Sequence, residues 1–410
     1  MRKWSPREVG VVLGVLVVCG ALLWIFHGPS RTLPTPTAPN FVETKVVAKQ
    51  KNKAVSTLRE VSVWDTNVQQ KSVQSKFLSA TAPTNRTAPV APAPAPGDPA
   101  AQHARDLIAH LTQLTTGGPL TRERADEIND LLTQLAGEGS RAIPAIREFL
   151  ESNRDYSYND IQGGDQVNYR TLRLGLLDTL QQIGGPEAFA VSAATLQTTP
   201  EPLEIALLSA YLEQQAPGQY RALELTAAKD LLAQATSGHE SYGDMSPVFE
   251  TLQAYGDTSV VGVLEKAASR WNYYATLALA GLTNGEGIPS LIRLAEDPAI
   301  ASMGPGDFAL RPLAQAALQY PTAANALVDL ARQNQVPDTA WGTVSAALAG
   351  SYIQYGNQIF GSTSPALDWS PAQITQRMGL INQLLSVTMS PTGRDALQKA
   401  LASLSGRLPK

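Results

Sequence analysis

The sequence predicts an all-α protein: an α-solenoid of antiparallel helix pairs over residues 99–410, preceded by one transmembrane helix and a disordered, proline-rich tether. Three observations carry this. Apolar residues beyond Pro99 recur at spacings of three and four, glycine-centred turns separate the periodic segments, and an uncharged apolar run stands close to Met1.

That run, Val9 to Phe26, is eighteen residues long. At ~1.5 Å per residue it falls just short of the ~30 Å bilayer core. Trp4 and Trp24 lie near its ends, where amphipathic rings favour the interface. Arg2, Lys3 and Arg7 precede it and Arg31 follows, so the positive-inside bias places residues 1–27 as a cytoplasmic stub and inner-membrane anchor, with the rest periplasmic. A cleaved signal peptide shares the basic start. It would need a small-residue cleavage site, and Leu22 to Phe26 stay apolar beyond Val18-Cys19-Gly20. Cys19 is the only cysteine, which excludes disulfides and cysteine-based metal sites from the exported part.

Residues 28–98 read as the tether. Ala88 to Pro96 favours extended polyproline geometry, and Phe41 to Ser79 is basic and polar, with too little apolar surface to build a core. Val61 and Val63 could form a short strand or docking peptide, and disorder is the simpler expectation. Residues 1–98 hold 12 Lys and Arg against 5 Asp and Glu, leaving residues 99–410 with a net charge of −11. The basic tether suits contact with anionic lipid or wall polymer. The acidic domain argues against nucleic acid, whose binding needs phosphate neutralisation.

Beyond Pro99, His103 to Thr115 carries Leu107, Ile108, Leu111 and Leu114 on one helical face. Thr121 opens a second helix bearing Ile128, Leu131, Leu132 and Leu135, and Gly137 and Gly139 end it. Ala142-Ile-Pro-Ala-Ile-Arg-Glu-Phe-Leu-Glu-Ser152 then lines up with Gly287-Ile-Pro-Ser-Leu-Ile-Arg-Leu-Ala-Glu-Asp297. Proline here suits a helix's first turn, where no amide hydrogen is needed. Degenerate copies of helix, glycine turn and helix include Leu180 to Phe189 and Leu252 to Val261. Over 137–333 these residues resemble short bacterial HEAT-like repeats. The resemblance implies an α-solenoid that binds proteins; some such proteins handle tetrapyrroles, and no residue here carries that activity over. The physics agrees, since a helix pair with one apolar face must stack on neighbours to bury it.

The candidate binding residues lie in loops that interrupt the repeats. Asn153 to Asp165 is the longest, with Asp155, Tyr156, Tyr158, Asp160 and Asp165. Thr236 to Asp244 carries Tyr242, Ser302 to Phe308 carries Phe308, and Tyr355 to Pro365 carries Phe360. Tyrosine favours interfaces because its ring is apolar and its tip polar. Asp155, Ser157 and Asn159 start like a calcium loop, but the twelfth position is Gln166 and the sixth Asp160. His103, Asp106 and His110 share a helical face as an exposed cap rather than a metal site. Trp271 and Tyr274 read as core rather than a sugar-stacking platform. No metal and no cofactor is expected.

Neither a Gly-x-Ser-x-Gly elbow, a Ser-x-x-Lys, a His-Glu-x-x-His nor a phosphate-binding Gly-Lys-Ser/Thr loop occurs. The expectation is a non-catalytic, membrane-anchored, envelope-facing scaffold for an unidentified protein partner. The alternative is an α/α-barrel-type enzyme or binding module for envelope polysaccharide. Aromatics at 6% of the chain, scattered, argue against that alternative. A tetrapyrrole- or lipid-holding module is the third option.

Overall fold

The computed structural model describes residues 99–238, 243–297, 308–352, 354–356, 359–360 and 369–408. The expected anchor at 9–26, the tether at 28–98 and Tyr242 lie outside the described residues. No helix among the described residues is long and apolar enough to cross a membrane.

The described chain is all-helical, with fifteen α-helices and no strand, in keeping with the all-α expectation. In order these are α1 Pro99–Thr116, α2 Arg122–Gly137, α3 Ile143–Glu151, α4 Leu172–Ile183, α5 Gly185–Thr198, α6 Pro202–Gln215 and α7 Arg221–Ser237. There follow α8 Ser246–Tyr255, α9 Thr258–Gly281, α10 Ile288–Glu296, α11 Leu310–Ala316, α12 Pro321–Arg332, α13 Trp341–Leu348, α14 Pro371–Val387 and α15 Pro391–Ser405.

Their starts follow from local chemistry. Proline occupies the first turn of α3, α5, α6, α8, α10, α12, α14 and α15, where its fixed φ is already helical. Thr121, Thr171, Asp257, Ser370 and Ser390 accept first-turn amide hydrogens with their side chains, and Ser370 with Gln373 completes a capping box. The aligned segments at 142–152 and 287–297 both become nine-residue helices, α3 and α10. A left-handed glycine precedes each, Gly139 at φ 60° and Gly285 at φ 73°.

Helix ends are closed by arginines reaching from elsewhere. Arg124 donates to the carbonyls of Leu114 and Gly117 at the end of α1, and Arg173 to Leu150 at the end of α3. Arg270 serves Ala235 and Gly238 after α7, and Arg377 serves Leu348 in α13. Each supplies hydrogens to the unpaired carbonyls and positive charge to the negative end of the dipole.

α9 is two helices fused across a break at Trp271, whose φ of −123° and ψ of 52° are not helical. Its first half sets Glu265 against Arg293 of α10 and Arg270 against the end of α7. Its second half packs Tyr274 on Phe249 of α8 and ties Thr276 to the Phe308 carbonyl ahead of α11. Counted so, the helices form two rows. One runs α1, α3, α5, α7, first half of α9, α10, α12, α14; the other runs α2, α4, α6, α8, second half of α9, α11, α13, α15. Each member packs on the next in its row, and the principal helix contacts reach no further than two elements along the chain. One apolar core runs unbroken from Ala104 to Leu404. Along the first row, Arg105–Glu148, Arg147–Glu187 and Glu265–Arg293 bridge successive helices at the surface, where solvent screens such pairs and leaves them little weight in stability.

Candidate functional site

A cleft of about 200 Å3 opens where the N-terminal ends of α4, α6 and α8 meet, three successive members of the second row. Asp155, Asn159 and Arg170 line it together with Glu201 to Glu204 and with Gly243 and Asp244. The stacking thus brings Asp155 and Asn159 of the loop at 153–165 together with Gly243 and Asp244, the last two residues of the loop at 236–244.

The first loop is pinned rather than loose. An isolated antiparallel bridge pairs Ser157 with Thr171, and the Tyr158 amide donates to the Arg170 carbonyl at 2.7 Å. Tyr158 itself is fully buried. Gly163 holds φ 84°, and a Cβ added at Gly164 would sit 1.8 Å from the Tyr158 carbonyl oxygen. Only glycine permits that approach. Asp155 caps α4: one Oδ accepts from the Tyr156 amide at 2.7 Å and the Arg173 amide at 3.1 Å. Burial among its neighbours raises the Asp155 carboxyl pKa despite those bonds. Opposite, Asp244 caps α8, accepting from the Ser246 amide and hydroxyl at 2.9 Å each. The Tyr274 hydroxyl adds a longer bond at 3.3 Å.

Beneath the cleft lies a buried ion pair. Arg173 Nε meets Glu204 Oε1 at 2.8 Å and its Nη2 meets Oε2 at 3.0 Å, while Nη1 caps the Leu150 carbonyl at 2.9 Å. The Thr199 hydroxyl donates to Glu204 at 2.6 Å. Burial opposes the Arg173 charge, yet the bonds from Glu204 and the charges of Asp155 and Glu201 hold its pKa above the ordinary value.

Two charged groups of the cleft are left over. The Arg170 guanidinium makes no hydrogen bond or ion pair with any described residue. Burial pushes its pKa down, and the Asp244 charge pulls it partway back. The Glu201 carboxylate accepts no hydrogen bond from a described residue; burial, then the charges of Glu204 and Asp155, raise its pKa, and the Arg173 charge pulls it partway back.

The other sequence candidates fall elsewhere. Tyr156 is half-buried with its ring 6.4 Å from Phe149, and Asp160 and Asp165 are exposed on the loop outside the cleft. Phe308 packs edge-on to Tyr273 at 6.2 Å, and Phe360 edge-on to Tyr255 at 5.1 Å. Around Phe360 the segment after α13 lies back on α8 and α9. Tyr355 stacks on Tyr274, and the Ile359 amide donates to Glu250 at 2.7 Å. Trp271 and Tyr274 flank Phe249 as half-buried packing groups. His103 faces Glu138 at 3.7 Å and His110 faces Glu127 at 3.4 Å.

Sequence reasoning did not find Arg170, Glu201 or the Arg173–Glu204 pair. One signal was available for Arg170: it immediately precedes the N-cap Thr171, where a cation opposes the helix dipole. Compared with known proteins, the chain matches no family model and no curated protein.

Proposed function

We propose that this protein is a non-catalytic, membrane-anchored, envelope-facing α-solenoid of the HEAT-like kind that holds a protein partner. The observation that carries the reading is the cleft at the ends of α4, α6 and α8, lined by described residues of two interrupting loops on a stack of neighbour-packed helices. Stacked repeats present such loops on one face, and loops carried on a rigid scaffold are where binding concentrates. The apolar run at 9–26 and the basic tether support attachment to the inner membrane with the helical part outside the cytoplasm. Among the described helices the principal packing is between neighbours in the rows, which weighs against the α/α-barrel alternative, where first and last helices meet.

The test is in-cell photo-crosslinking from Asn159, an exposed residue of the cleft wall, followed by membrane purification and mass spectrometry. A discrete protein adduct in the membrane fraction supports the reading. Adducts to wall glycan alone would replace it with the polysaccharide alternative.

A further inference from the structure

The cleft contains four carboxylates and one lining arginine, and most of their hydrogen-bonding capacity is already used, although the Asp155 and Asp244 charges still act on Glu201 and Arg170. Asp155 and Asp244 are spent on capping α4 and α8, and Glu204 on Arg173. What remains is Arg170 and Glu201, opposite in sign and lining the same ~200 Å3 space, each without a described hydrogen-bonding partner. Arg170 is placed against local preference. It stands next to the positive end of α4 and is partly stripped of water, a cost that the Asp244 charge offsets only in part. Its backbone is fixed by the bond from the Tyr158 amide, so the side chain is carried on a rigid support. Glu201 stands at the N-cap of α6, whose first turn has no side-chain cap.

We propose that the cleft recognises a partner segment bearing one acidic and one basic side chain, the carboxylate forking onto Arg170 and the cation meeting Glu201. This rests on the protein-binding reading above and names the chemistry of its partner. A guanidinium binds a carboxylate through two parallel hydrogen bonds, so Arg170 fixes orientation as well as charge. Glu201 rejects segments carrying acid at the second position, since like charges brought together there have no compensation.

The experiment measures the Asn159 cross-link in cells for the full-length wild type, Arg170→Glu and Glu201→Lys. The neutral variants Arg170→Gln and Glu201→Gln are measured alongside. None of these disturbs a described hydrogen bond of the fold, and thermal unfolding of the detergent-solubilised chain checks that each remains folded. The expected result is a wild-type protein adduct that falls about tenfold or more in both charge reversals, as for close charge pairs at interfaces, and less in the neutral pair. A wild-type adduct unchanged by the reversals, or lost in only one, would overturn the paired recognition while leaving the protein-binding reading standing. Absence of any wild-type protein adduct would overturn both.

Discussion

Arg173 of α4 and Glu204 of α6 form a buried two-pronged ion pair, at 2.8 and 3.0 Å, that joins two neighbouring helices of one row beneath the cleft. Because Arg173 also caps α3 and Glu204 also takes the Thr199 hydroxyl, both charges are fully surrounded by partners. Removing one member strands the other in the core. Glu204→Leu is therefore expected to lose about 3–5 kcal/mol of unfolding free energy. Arg173→Met with Glu204→Leu is expected to recover part of that loss. Urea unfolding of the single and double variants measures the difference.

Glu224 of α7 is fully buried with neither carboxylate oxygen hydrogen-bonded. Burial raises its pKa to about 7, with the Arg221 charge pulling weakly the other way. A carboxyl whose pKa is raised on folding contributes its full stability below the unfolded value. That contribution is lost as pH rises through the folded one. Stability should accordingly fall by roughly 3 kcal/mol between about pH 4.5 and pH 7, at ~1.4 kcal/mol per unit of pKa shift. Glu224→Gln should flatten this slope, as read by urea midpoints at pH 5 and pH 8.

Gly164→Ala would drive a methyl group into the Tyr158 carbonyl, where no side chain can yield. The loop must open, Tyr158 leaves the core, and the Ser157–Thr171 bridge goes with it. A loss of about 3 kcal/mol is expected, in the range of large-aromatic removal. Limited proteolysis at Arg154 and Arg170 should become fast in the variant and stay slow in the wild type.

Arg377 donates to the Leu348 carbonyl at 2.9 Å and to the Tyr352 hydroxyl at 3.0 Å, and its Cζ lies over the Trp369 ring, 3.7 Å from the ring centre. Lysine keeps the charge and loses the fork and the stack. Arg377→Lys should cost roughly 1–2 kcal/mol, seen as a lower thermal midpoint together with altered tryptophan fluorescence.

Local features were readable from the chain: Pro144 and Pro289 opening equal helices, Thr121 as a cap, the apolar faces of α1 and α2. The fused α9 was not, because Trp271 breaks the helix by its backbone angles without any proline or glycine. The burial of Tyr158 was equally hidden. A tyrosine in a polar loop looks solvent-facing until Gly163 and Gly164 let the loop fold over it. The cleft needed Asp155 and Asp244 to meet, eighty-nine positions apart. That meeting depends on the spacing of α4, α6 and α8, and unequal unit lengths kept that spacing from showing as a period.

The central claim is that this cleft holds a protein, and Gly243 gives the most direct access to it. It lines the cleft, and a side chain begun there meets nothing within 4 Å. Gly243→Trp should fill the cleft and leave the helices unstrained. The measurement is quantitative co-purification from cross-linked membranes for the wild type and this variant. Loss of one stoichiometric protein in the variant, with its thermal midpoint unchanged, is the predicted result. Equal recovery of the same proteins from both would contradict the account.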